Sequence, residues 1–231
     1  MKDYANSSFL DVSNPAPRCP VILLLDTSAS MSGAPINELN KGVRQFLNET
    51  RNDEAASMSV ELEIVTFDSS VTRVIPFKSI SSVKSLPTFQ ANGMTCMGGA
   101  LQMATADLKA RRNLYRQTGI ASYRPWVVLM TDGGPNDEWE VAARQMRQLG
   151  ENGRIQYIGI EIGNKADHRT MCQILPPNPG PVRLQGLKFK QFFRWLTDSL
   201  RSVSHSTPEQ EDQVRFGDVR SWADLANLEN L

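Results

Sequence analysis

Two runs in this chain, VILLL at 21–25 and WVVLM at 126–130, are apolar at every position. A strand with one face in water alternates polar and apolar residues, so continuous runs of this length require cover on both faces. Strand-like runs alternate along the chain with segments whose apolar residues recur at helical spacing, the pattern of a mostly parallel sheet with helices on either side. The expectation is an α/β fold, a doubly wound three-layer sandwich of Rossmann-like type.

Placed along the chain, the first strand covers 20–26, and Pro35 opens a helix with Ile36, Leu39, Val43, Phe46 and Leu47 on one face. SVELEIVTFD at 59–68 is the second strand. Only Ser69 and Ser70 separate it from VTRVIPF at 71–77, so the third strand returns antiparallel, and Pro76 puts it at the sheet edge. A polar loop at 81–98 leads into a helix from about 99 to 116, carrying Leu101, Ala104, Leu108 and Leu114. Beyond 126–130, Asp137 and Glu140 have the spacing of a capping box. A strand at 154–162, a short helix near 167–175, a strand at 182–185 and a helix bearing Phe189, Phe192, Phe193, Leu196, Leu200 and Val203 complete the domain. Its expected extent is 18–204, after a polar extension at 1–17 and before an acidic tail at 205–231, where Trp222, Leu225 and Leu228 are candidate anchors for a short docked helix.

Composition limits the partners. Lysine plus arginine number 25 and aspartate plus glutamate 25, so no net positive field selects nucleic acid or an anionic membrane. The longest aliphatic run is strand-length, and the polar first 18 residues lack the apolar core of a signal peptide. Cys19, Cys96 and Cys172 form neither a disulfide framework nor a CxxC metal spacing, which suits a reducing, cytoplasmic compartment.

The first strand ends in DTSAS, which sets Asp26, Ser28 and Ser30 at the carboxyl edge of the sheet, where open sheets of this kind bind ligands. Asp132 follows the strand at 126–130, and Thr95, in NGMTCMGG before a helix, is free to reach the same place. Two carboxylates and three hydroxyls, with no histidine or cysteine among the five, suit a hard divalent cation better than zinc. Mg2+ is the first choice, with Mn2+ or Ca2+ as alternatives. Such a site keeps a coordination position open for a carboxylate from another molecule, and that is binding without bond breakage. Gly33, Gly98, Gly99, Gly133 and Gly134 would let the loops turn and approach closely, and Met31, Met94, Gly133 and Asp137 would form the partner-binding rim.

DTSAS at 26–30, the isolated Thr95 and the aspartate of TDG at 132 resemble the metal-ion-dependent adhesion site of von Willebrand factor type A (VWA) domains in order and spacing. More narrowly, LLLDTSASMSGAPI and YRPWVVLMTDGGPNDEWE, with the tryptophan-bearing acidic tail, resemble the bacterial TerY-type proteins of tellurium resistance and stress response. The resemblance implies that Ser28, Ser30 and Thr95 touch the metal directly while Asp26 and Asp132 act mostly through water. It also implies a non-enzymatic interaction module with serine/threonine kinase or phosphatase partners. Ala29 stands where glycine is frequent, and every ligand position is intact.

Other readings compete. DTSAS alone is also a helix-capping turn after a buried strand. Cys96 beside Thr95 reads as a small buried thiol rather than an oxidation sensor, His168 as a helix-start residue rather than a ligand, and KARRNLYR at 109–116 as a solvated helix end. A Mg2+-dependent phosphatase of the haloacid dehalogenase kind also starts from an apolar strand ending in aspartate. Its chemistry needs a second acid two residues later, where this chain has Ser28. Finally, Glu209, Glu211 or Asp212 of the tail could occupy the open metal position.

Overall fold

The computed structural model describes residues 10–164 and 166–224. Six strands form one sheet: β1 (Cys19–Asp26), β2 (Val60–Phe67), β3 (Val71–Ser79), β4 (Trp126–Thr131), β5 (Gln156–Glu161) and β6 (Pro181–Arg183). Their order is β3-β2-β1-β4-β5-β6, with every pair parallel except β2 and β3. Thus β1 lies centrally, and the direction of winding reverses between β1 and β4. The edge strand is the one carrying Pro76, which needs no ladder donor there, and the β2–β3 register slips between Leu62 and Val65.

The uninterrupted apolar runs become strands buried on both faces. Val21, Leu23 and Leu25 of β1, with Val128 and Met130 of β4, pack beneath α1 (Ala34–Arg51), the short α2 (Glu54–Ser59) and α6 (Phe189–Ser204). Ile22 and Leu24, with Val127 and Leu129, face α3 (Met97–Thr118), α4 (Glu140–Glu151) and α5 (His168–Ile174). Side chains alternate across a strand, so each run feeds two cores at once. Among the described residues no helix is long and apolar enough to cross a membrane.

Three sequence expectations need correction. First, Asp137 does not cap α4: Trp139 is the N-cap residue, and the Asp137 carboxylate instead accepts hydrogen bonds from the N–H groups of Gly98 and Gly99 at 2.9 and 2.8 Å. It serves the amino end of α3, where the helix dipole favours a negative charge. Second, KARRNLYR is not wholly solvated. Arg111 is buried, and its Nε donates to Glu61 at 2.6 Å, while Arg18 and Tyr115 meet the same carboxylate. A buried acid on the helix-facing side of β2 draws the basic residues of α3 inward. Third, Ser59, expected to open the second strand, instead ends α2, whose cap, Asp53, accepts from the Ala56 N–H at 2.8 Å.

The tail is docked on its own domain. Trp222 is buried against Phe192 and Trp195, with ring centroids 5.0 and 5.3 Å apart, and the Trp222 carbonyl accepts from the Gln185 N–H. A one-turn 3-10 helix covers Val219–Ser221, and the candidate anchors Leu225 and Leu228 of the expected docked helix fall outside the described residues. Glu211 and Asp212 pair with Arg124, just before β4 at the amino edge of the sheet. That is the edge opposite Asp26 and Asp132, so neither acid plugs the site.

Candidate metal site

The reversal between β1 and β4 leaves a crevice at the carboxyl ends of these neighbouring strands. Leu25 of β1 pairs with Met130 of β4, so Asp26 falls opposite Thr131, whose hydroxyl donates to Asp26 Oδ2 at 2.6 Å. The other carboxylate oxygen accepts from the Ser28 N–H at 2.8 Å. Ser28 Oγ lies 2.9 Å from Ser30 Oγ, and Ser30 Oγ donates to Asp132 Oδ1 at 2.6 Å. A continuous polar chain therefore runs from the buried Asp26 through Ser28 to the exposed Ser30 and the half-buried Asp132.

Thr95 enters from a third loop held by backbone contacts. The Ala29 N–H donates to the Gly93 carbonyl and the Asn92 N–H to the Thr27 carbonyl, tying the loop to DTSAS. The Asn136 N–H donates to the Thr95 carbonyl, tying it to the loop after Asp132. Thr95 is buried, and its hydroxyl has no hydrogen-bond partner among the described residues. Two glycines have a structural reason. Gly33 turns from the site into α1 with φ of +86°, and a Cβ on Gly98 would lie 2.3 Å from the Glu138 carbonyl oxygen. Gly133 has neither constraint.

Burial pushes the Asp26 carboxyl above its ordinary range. Hydrogen bonds from Thr131 and Ser28 oppose that shift, and the nearby Asp132 charge reinforces it. No cation is paired with Asp26 or Asp132 among the described residues. A desolvated acid beside a second acid is an arrangement that a bound cation would relieve. Oxygen-only donors of this number fit a hard divalent ion, so the residues present suit the metal their pattern implies.

Of the expected rim, Met94 is 56% exposed and Gly133 is half-buried at the crevice. Met31 is fully buried in the core beneath α1 and offers no surface, because the one-turn helix after Ser28 rotates it inward. Asp137 is engaged with α3, as above. The pattern reading missed Thr131, the residue that fixes Asp26 from the neighbouring strand. Its adjacency to Asp132 was the available signal, because strand pairing brings the residue before one loop ligand beside the last residue of β1.

Residues 21–186 match the von Willebrand factor type A domain family, and the chain belongs to it. A search of curated proteins gives no match. Among solved structures, proximal thread matrix protein 1 from the mussel byssus, with a zinc-occupied MIDAS motif, superposes with a TM-score of 0.58 at 15% identity, covering 83% of this chain and 47% of that one. Manganese-loaded TRAP from Plasmodium vivax gives 0.53 at 20% identity over 78% and 73% of the two chains. The ArnB paralogue VWA2 of Sulfolobus acidocaldarius gives 0.57 at 14% identity over 79% and 45%. This chain spans about half the length of the mussel and Sulfolobus chains. At these identities the likeness is one of fold.

Proposed function

We propose that this chain is a metal-dependent protein-interaction module in which Asp26, Ser28, Ser30, Thr95 and Asp132 hold a divalent cation and a partner protein presents an aspartate or glutamate carboxylate to it. The observation that carries the reading is the buried Asp26 carboxyl, placed next to Asp132 at the sheet's reversal point with no cationic partner among the described residues. A bound cation would supply the unspent positive charge that attracts the partner's carboxylate. The chain supplies the rest. Asp26, braced by Thr131 and the Ser28 N–H, sets the negative floor of the site. Ser28 and Ser30 present hydroxyls in series toward Asp132, Thr95 contributes a free hydroxyl, and Met94 and Gly133 border the opening.

Mg2+ is the first choice for an all-oxygen site. The zinc-occupied mussel and manganese-loaded Plasmodium structures support testing other divalent ions beside it. The TerY-like motifs LLLDTSASMSGAPI and YRPWVVLMTDGGPNDEWE extend the proposal to bacterial tellurium resistance and stress response, with a serine/threonine kinase or phosphatase as partner in the cytoplasm. Catalysis is not part of it. The dehalogenase-type phosphatase alternative would need an acid at 28, and the Ser28 hydroxyl there is engaged with Ser30.

The test is calorimetric titration of Mg2+, Mn2+ and Ca2+ into wild type, Asp26→Ala and Thr95→Ala. Saturable binding in the wild type, abolished in Asp26→Ala and weakened at least tenfold in Thr95→Ala with both apo folds intact by circular dichroism, is expected. Equal binding in all three would overturn the assignment, and phosphatase turnover lost in Asp26→Ala would favour the enzyme.

A further inference from the structure

Away from the metal-site residues, α5 carries His168 and Cys172 four residues apart, on one face of the helix. His168 Nε2 lies 3.5 Å from Cys172 Sγ, within hydrogen-bond reach of sulfur. On the other side of the ring, His168 Nδ1 lies 2.5 Å from Glu161 Oε1. Glu161 is the last residue of β5 and fully buried, and its second oxygen accepts from Arg183 at 3.0 Å. The carboxylate is therefore held from two sides. It selects the tautomer with hydrogen on Nδ1, which leaves Nε2 free to accept the thiol proton. Cys172 is exposed, and His168 is 47% exposed.

We propose that Cys172 is a nucleophilic thiol with His168 as its base and Glu161 as the residue positioning that base, forming a site of covalent modification by soft electrophiles. The arrangement of nucleophile, base and orienting acid is the physical requirement for activating a weak nucleophile. The charged groups around it are Glu161 at the end of β5, Arg183 on β6, Asp167 capping α5, and Arg147 on α4, which donates to the Cys172 carbonyl at 3.2 Å. Burial and the Glu161 charge push the Cys172 thiol up, with Arg147 opposing. The thiol is therefore not acidic unaided, and its reactivity depends on His168 accepting the proton. With iodoacetamide, the sulfur forms a bond to the methylene carbon, the carbon–iodine bond breaks with loss of iodide, and the thiol proton passes to His168 Nε2 and then to water.

The experiment labels the full chain with iodoacetamide and follows each cysteine by peptide mass spectrometry, with Cys172→Ser assigning the site. Cys172 is expected to react before the half-buried Cys96 and the buried Cys19. His168→Gln should slow it by about tenfold or more at pH 7 and shift its rate–pH profile to higher pH. Glu161→Gln, which leaves an amide oxygen for Nδ1 but removes the charge, should lower the plateau of that profile, as a weaker base does. In guanidinium all three chains should react alike. A Cys172 no faster than Cys96, or a profile unchanged in folded His168→Gln, would overturn the proposal.

Discussion

At Asp26 the chain keeps a carboxylate where water does not reach and where the neighbouring charge, Asp132, has the same sign. Such a group is costly to the folded state unless a cation joins it. The two hydrogen bonds it accepts recover part of that cost, and they also hold it in place. Replacing Asp26 by Asn keeps the shape, lets the Thr131 hydroxyl turn to remain bonded, and removes the charge. Asp26→Asn should therefore raise metal-free stability by on the order of 1 kcal/mol, the usual sign when a strained functional group is neutralised. It should also erase the rise in melting temperature that a divalent ion gives the wild type. Thermal unfolding of both proteins in chelator and in millimolar metal checks this, and a variant less stable than wild type without metal would contradict it. Thr95→Ala makes the complementary case: its hydroxyl supports nothing in the metal-free fold, so metal binding should fall while metal-free stability stays within about 0.5 kcal/mol.

Among the elements, the contact of α3 with the β2–β3 edge shows how charge is handled inside this sheet. Glu63 points from β2 at α3, where Arg73 of β3 donates to it at 3.2 Å but also holds Asp107 at 2.7 Å. Burial, followed by its hydrogen bond to Asp107 and that residue's charge, pushes the Glu63 carboxyl up to about 9 from an ordinary 4.5. A raised folded value means that the native state binds the proton more tightly. The stability it contributes is complete below pH 4.5 and is lost as pH climbs toward 9, at up to about 1.4 kcal/mol per pH unit. Glu63→Gln should flatten that slope and leave the protein more stable than wild type at pH 8, measured by urea unfolding across pH 5–9. At the amino end of α3, Asp137→Ala should cost about 1–2 kcal/mol through the exposed N–H groups of Gly98 and Gly99. These two sites also mark where pattern reading stops. The central strands β1 and β4 were legible from their apolar runs, because continuous burial is written locally. The destination of Asp137 was not, since its partners lie 38 and 39 residues away and its spacing to Glu140 imitates a local cap. The inward turn of Arg111 was hidden likewise, because one buried acid on β2 outweighs the solvation of a basic run. Glu61 and Glu63 gave no signal of their burial, since alternation in VELE reads as a half-wet strand. Asp26 and Asp132 were legible together because the strands before them are neighbours, whereas Met31 followed the turn of a single 3-10 helix that no periodicity announces.

Across the whole molecule, the segment after α6 closes the core beneath α1 and α6 and ties the two ends of the sheet's far half together. The Tyr123 hydroxyl donates to the Ser206 carbonyl at 2.7 Å, Arg124 pairs with Glu211, Phe216 meets Trp126 edge-on, and Ala223 bridges Leu184. Trp222 sits at the centre, filling the gap between Phe192 and Trp195. Without the tail, a contiguous aromatic surface on α6 and the start of β4 would face water, which soluble domains avoid. Trp222→Ala should accordingly cost about 3–5 kcal/mol, read by urea unfolding, and should leave the metal-binding constant of the remaining folded protein unchanged. The second half of that expectation follows from place: Glu211 and Asp212 anchor the tail at the amino edge of β4, while Asp26, Ser28, Ser30, Thr95 and Asp132 lie at the carboxyl edge. A tail that acted by occupying the site would instead tighten metal-dependent capture of a carboxylate-bearing partner when released, so unchanged partner affinity in Trp222→Ala is the expected outcome, and an affinity gain would contradict the tail's placement at the amino edge.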